Sequence, residues 1–166
     1  MKERLLVCVL GNRNSGKSTT WSGLFDATVR TGKRTRWLYL NRAQSVEVFL
    51  MSGSPQERGL SPRQILPKKP PKIVLCSMQY TNTAYDDFEH FIDYGYDIFV
   101  QWLNPGYSDA AAYSDDSSLV SRLLHSGATL HVRDGRLPPE QRICEMRQYI
   151  LGWATYRNLL HTDFQC

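Results

Sequence analysis

No apolar run in this sequence approaches the roughly 18 residues that suggest a membrane span. The opening stretch, Met1 to Leu10, starts charged and turns apolar, but its apolar run covers only Leu5 to Leu10 and no small-residue cleavage site follows. A secretory leader is therefore not expected there. Cysteine is sparse. Cys8, Cys76, Cys144 and Cys166 show no zinc or redox spacing, and Cys8 and Cys76 fall inside apolar runs, where a free thiol acts as a small hydrophobe. That usage suits a reducing, cytoplasmic setting. His90, His125, His131 and His161 are scattered, with no ligand spacing. Internal repeats and low-complexity tracts are absent, which excludes solenoids and arrays.

The net charge is small as well, +4 over 166 residues. The total conceals a polarised chain. Residues 33–72 hold Lys33, Arg34, Arg36, Arg42, Arg58, Arg63, Lys68, Lys69 and Lys72 against Glu47 and Glu57, a net of +7. Residues 73–134 hold nine acids against Arg122 and Arg133, a net of −7. The basic block is the place to expect a protein or nucleic-acid partner, if the two blocks do not simply neutralise each other. Within it, residues 61–72 read as a proline- and lysine-rich connector, extended and without regular structure. That connector lacks interleaved aromatics, so base stacking is not expected along it.

Gly11-Asn12-Arg13-Asn14-Ser15-Gly16-Lys17-Ser18 matches G-x-x-x-x-G-K-[ST], the Walker A pattern. Its setting fits. Leu5–Leu10 reads as a buried parallel strand. Trp21, Leu24, Phe25, Thr28 and Val29 recur on one face of a helix expected over 17–31, with Gly32 placed to end it. Chemistry accounts for the residue types. The glycines let the backbone wrap close to an anion, and the loop N–H groups and helix N-terminus face it. The expected phosphate cradle is Gly11, Asn12, Arg13, Asn14, Ser15, Gly16, Lys17, Ser18 and Thr19. Lys17 would reach the β- and γ-phosphates, Ser18 would hold Mg²⁺, and Thr19 would donate to a phosphate. The ligand is expected to be ATP or another nucleoside triphosphate.

On these residues, 5–32 resemble the P-loop NTPase superfamily. The N-x-G-K-S core is similar to that of small GTPases, but the D-x-x-G switch and the N/T-K-x-D base reader are both missing. An acid at the end of an apolar strand, the Walker B feature of RecA-like motors, is also missing: Ile73–Met78 runs into Gln79, and Asp97–Leu103 into Asn104-Pro105-Gly106. Ser77 and Gln79 stand where such an acid would act, with ordinary strand-end hydrogen bonding as their other reading. The arrangement loosely resembles the small P-loop nucleotide and metabolite kinases. It ends with a strand near 128–132, the loop Asp134-Gly135-Arg136, and a long helix opening at Pro138-Pro139. The segment Pro105 to Ser118 takes the place of the lid in such kinases. It carries acids and no arginine, which leaves Arg122 on the next helix as the nearest charge stabiliser, to act with Lys17 in catalysis.

Strands alternating with helices predict an α/β fold: three layers, with a mainly parallel central sheet and helices on both faces. Residues 1–162 are expected to form one nucleotide-binding domain, with 163–166 a frayed tail. Three functions remain open at this point. The chain is an Mg²⁺-dependent NTPase or kinase-like phosphotransferase, a non-hydrolysing nucleotide-binding subunit of a larger assembly, or a nucleic-acid-associated protein.

Overall fold

The computed structural model describes residues 1–163. In chain order the elements are β1 (Arg4–Gly11), α1 (Lys17–Phe25), β2 (Arg36–Tyr39), β3 (Gln44–Met51), α2 (Pro55–Arg58), α3 (Pro62–Ile65), β4 (Ile73–Gln79), α4 (Ala84–Asp93), β5 (Tyr96–Leu103), α5 (Leu119–His125), β6 (Thr129–Arg133), α6 (Glu140–Tyr156) and β7 (His161–Thr162). The sheet runs β2-β3-β4-β1-β5-β6, with β7 pairing onto β3. β3, β4, β1, β5 and β6 are parallel to one another, while β2 and β7 lie antiparallel to β3.

The apolar run of β1 explains its central place. It pairs with β4 on one side and β5 on the other, so it needs apolar residues on both faces. Leu5, Val7 and Val9 pack with Trp21 and Leu24 of α1 and Ile143, Met146 and Ile150 of α6. Leu6, Cys8 and Leu10 pack with Phe88 and Phe91 of α4 and Leu119 and Leu123 of α5. The sheet is thus covered on both faces, in the three layers expected. Cys8 and Cys76 face each other in register on neighbouring strands, and burial pushes both thiols up. All the parallel strands bring their carboxyl ends to one rim, where ligands sit in such sheets.

The structure corrects several element bounds. α1 ends at Phe25, not near residue 31, because Asp26 takes a left-handed conformation with φ 52°. The final carbonyls of α1 accept from α6 instead: Arg147 Nη2 donates to Gly23 O at 3.0 Å and to Leu24 O at 2.7 Å. Gly32 therefore ends no helix. The 61–72 connector is not wholly irregular. Ser61 and Gln64 form a capping box for α3, Ile65 and Leu66 pack on the α4-side core, and Tyr96 donates its hydroxyl to Pro71 O at 2.6 Å. α6, the long helix expected to open at Pro138-Pro139, starts at Glu140 and stops at Tyr156. β7 follows it, and Asp163 donates its N–H to Ala43 O at 2.8 Å. Of the expected frayed tail, Asp163 is thus anchored, and 164–166 lie outside the described residues. No described helix is long and apolar enough to cross a membrane.

Candidate functional site

β1 delivers the chain to the sheet rim at Gly11, and loop 12–16 turns it back into α1. The turn is tight. A Cβ on Gly11 would lie 2.5 Å from Ser15 Oγ. Gly16, at the helix N-cap, has φ 105°, a conformation that side-chain-bearing residues rarely adopt. Two other loops hold this one in place. Tyr107 N–H donates to Ser15 O at 3.0 Å and Ser108 N–H to Asn14 O at 3.2 Å, while Gly135 N–H reaches Pro105 O at 2.7 Å. Gly106 and Gly135 are required for this approach, since a Cβ on either would fall within 2.6 Å of Ser15.

Lys17 opens α1 and is only 6% exposed. Its Nζ donates to Asn12 O at 2.8 Å and Gly11 O at 3.3 Å, and it pairs with Glu57 Oε1 at 3.6 Å. Burial pushes the Lys17 ammonium down from its usual range, and the neighbouring Glu57 partly counters that. Ser54 caps α2 by accepting the Glu57 N–H at 3.2 Å, which sets Glu57 on the first turn facing the lysine. Gln56 fixes the same short helix from the other side. It accepts Gln79 N–H at 3.0 Å and donates to the Asp87 carboxylate.

A cleft of about 840 Å³ opens over these groups. Arg13, Asn14, Ser15, Gly16, Lys17, Ser18 and Thr19 form one wall. Ser52, Gly53 and Glu57 form another, and Tyr107, Ser108, Gly135 to Pro139 and Arg142 complete it. Of the predicted cradle, Arg13 to Thr19 line the cleft. Gly11 and Asn12 do not; they shape the loop from behind, with Asn12 Nδ2 bonded to both carboxylate oxygens of Asp109 at 3.2 and 3.3 Å.

Arg122 is not brought to the cleft. It lies on α5 with its guanidinium 3.7 Å from the centre of the Tyr85 ring. The arginines that do reach the cleft are Arg13, Arg136 and Arg142. Sequence reasoning missed Arg136 and Arg142, and it missed Glu57, the one carboxylate on the cleft wall among the described residues. The acid was sought at strand ends, whereas Glu57 stands on a one-turn helix after β3. The Ser54-Pro55 pair, a capping residue followed by proline, was the signal that a helix starts there. Ser77 is structural: it accepts Trp21 Nε1–H at 2.8 Å and donates to Ser52 O at 2.8 Å. Asp134 is bound to Arg136 at 3.1 Å.

No group of three or more His, Cys, Asp or Glu gathers to hold a metal among the described residues. Hydroxyls of Ser15, Ser18, Thr19, Ser52 and Ser108 line the cleft with the Glu57 carboxylate, and of these Ser18, at the start of α1, and Glu57 are the candidate ligands for a hard cation. Such a sparse set of hard oxygens fits Mg²⁺, which keeps several waters and takes its other ligands from substrate phosphates.

No protein-family profile matches the chain, and no curated protein matches it. Among solved structures it is similar to an unliganded sugar kinase from Janibacter sp. HTCC2649. The identity is 19%, covering 90% of this chain and 95% of that one, with a TM-score of 0.39. A likeness that distant carries no argument about activity.

Proposed function

We propose that this chain is a P-loop protein that binds a magnesium nucleoside triphosphate, ATP by preference, and transfers its terminal phosphoryl group to water or a small acceptor. The observation that carries the reading is the seating of Lys17. A buried ammonium, at the junction of a glycine-bounded loop and a helix N-terminus, opens onto a cleft large enough for a nucleotide. Loop N–H groups and the start of α1 hold the phosphates, with Thr19 adding a hydroxyl. Lys17 neutralises the outer phosphates, and Ser18 with Glu57 would hold Mg²⁺. The ion, when bound, draws charge from the phosphate oxygens as it develops. The acceptor oxygen bonds to phosphorus as the bond to the bridging oxygen breaks, the nucleoside diphosphate leaves, and the acceptor proton passes to solvent. Arg13 and Arg136, on the cleft wall, replace Arg122 as the candidates for stabilising that charge.

Calorimetry on wild type and Lys17→Ala tests the site. The variant should lose at least about tenfold in affinity for Mg·ATP, one unit of log K or about 1.4 kcal/mol. Unchanged affinity sinks the assignment. Incubation with Mg²⁺ and each nucleoside triphosphate, followed by chromatography of the nucleotides, separates hydrolysis, transfer and inert binding.

A second reading is that the nucleotide is a regulatory or structural ligand that is never turned over. It is favoured by the strand ends beside the loop, where Ser77 is tied by two hydrogen bonds and Gln79 N–H by Gln56. Tight binding with no product formed would select this reading, and steady ATP turnover by the purified chain would reject it.

A further inference from the structure

Arg142 is a buried cation without a counter-ion. It stands on the first turn of α6 and is 4% exposed. Its partners are all neutral. Nη2 lies 3.2 Å from Thr20 Oγ1 and 3.5 Å from Gly16 O, Nε 3.4 Å from Thr20 Oγ1, and Nη1 3.4 Å from Leu137 O. These bonds are long, and the Thr20 hydroxyl already donates its own proton to Gly16 O at 2.9 Å. No carboxylate comes within ion-pair distance of Arg142 among the described residues. Arg157 shows the ordinary solution: its side chain is 8% exposed, and Asp97 sits 3.3 Å away. A buried charge without a direct partner is costly, and burial pushes the Arg142 guanidinium down from its usual range, with the more distant Glu140 countering only part of that.

The cleft gives a counter-ion access to Arg142, which lies on its wall beside Gly16, Leu137 and Pro139. Gly16 keeps that approach open. A Cβ there would lie 3.3 Å from Arg142 Nη2 and crowd the guanidinium. The Glu57 carboxylate is already engaged with Lys17. A planar guanidinium presents parallel N–H donors that match two oxygens of one phosphate, better than they match single carbonyls at 3.4 Å or more.

We propose that Arg142 binds a phosphate group of the ligand, so that the anion completes a charge which the fold buries and leaves unpaired. The inference rests on the reading that the cleft takes a phosphorylated ligand, and it adds a phosphate contact from α6, outside the Walker A loop.

The test uses the whole chain with two probes, ADP and inorganic pyrophosphate, on wild type, Lys17→Ala, Arg142→Met and Arg142→Lys. Calorimetry reads affinity, and thermal denaturation reads the ligand-free stability. Arg142→Met should melt at or above the wild-type temperature without ligand, since it removes an unpaired charge and keeps the apolar stem. It should bind both probes at least tenfold more weakly. Arg142→Lys, with the charge but not the fork, should fall between. Wild-type affinity in Arg142→Met overturns the proposal while leaving the cleft reading intact, provided Lys17→Ala has lost binding. A ligand-free Arg142→Met that melts well below wild type, or does not fold, overturns it too, because the arginine is then a structural tie between α6 and α1. Failure of wild type to bind either probe removes the cleft reading and Arg142 with it.

Discussion

Loop 12–16 and segment 104–118 are both polar, both leave the sheet at the carboxyl ends of neighbouring strands, and treat their polar groups in opposite ways. The first turns Arg13 toward the cleft and leads into Lys17, the first residue of α1, which lines it too. The second turns two of its three carboxylates inward and leaves Asp116 exposed. Asp109 accepts Gly106 N–H at 2.8 Å and the Asn12 side chain. Asp115 accepts the Tyr80 hydroxyl at 2.6 Å, Val120 N–H at 3.1 Å and Ser121 N–H at 2.9 Å. Asn104 is bonded to the Tyr113 backbone through both its amide oxygen and its amide nitrogen. The segment that stood in the place of a kinase lid is thus a brace. Its acids organise the chain that backs the loop, and only Tyr107 and Ser108 of it reach the cleft. A run of like charge in a sequence does not say whether the charges are free, and hydrogen-bond partners decide it.

Substitutions that separate brace from cradle test that contrast. The largest effect is expected from Gly106→Ala, where the new Cβ would lie 2.5 Å from Ser15 Cβ and 2.8 Å from Ser15 Cα. Overpacking at a backbone contact should cost about 2–3 kcal/mol of stability in urea denaturation, and nucleotide affinity should fall with it as the loop shifts. Asp115→Ala comes next. It removes an ionised acceptor from three donors and should cost about 2 kcal/mol while leaving ADP affinity unchanged. Burial pushes the Asp115 carboxyl up, but the bonds from Tyr80 and the α5 backbone outweigh it and hold the pKa below the usual 3.8. The stabilisation is therefore complete above that ordinary value and is lost as pH falls through the lowered one. The difference in stability between wild type and Asp115→Ala should shrink only in that acid range, measured by denaturation at stepped pH. A gap that closes near neutrality would contradict this role.

Asp109→Ala should cost less, about 1 kcal/mol, but weaken nucleotide binding measurably, because Asn12 and Gly106 both lose a partner next to the loop. An unchanged affinity would separate the brace from the cradle entirely. The smallest effect belongs to Asp116→Ala. Its carboxylate bonds only the nearby Ser114 hydroxyl, at an exposed position, and the change should stay within about 0.5 kcal/mol.

Much of the fold was legible because it rests on local patterns. The unbroken apolar run Leu5–Leu10 announced a strand buried on both faces, and Pro138-Pro139 announced the start of the covering helix α6. What escaped depended on contacts remote in the chain. α1 stops at Phe25 because Asp26 turns left-handed, and the carbonyls this leaves are taken up by Arg147, far along the sequence, which the local pattern could not show. The same holds for the site. The loop could be read because its glycines, lysine and serine are contiguous. Glu57 and Arg142 join it only through folding, one from the turn after β3 and the other from α6. Arg122 was chosen by proximity in sequence to the expected lid, and α5 carries it to the opposite face of the sheet from α1 and α6.

The pairing of Lys17 with Glu57 has a consequence for how any anion enters. The lysine already has an occupant, a carboxylate tethered 3.6 Å away on the same chain and so present at high effective concentration. On the proposed function, phosphate binding at Lys17 would be an exchange of one anion for another, and its strength the difference between the two. Nor can the displaced carboxylate travel far. Ser54 caps α2 at its start, and Gln56 moors it to Gln79 and Asp87. The outgoing group stays at the cleft wall, where an incoming cation would find it newly vacated.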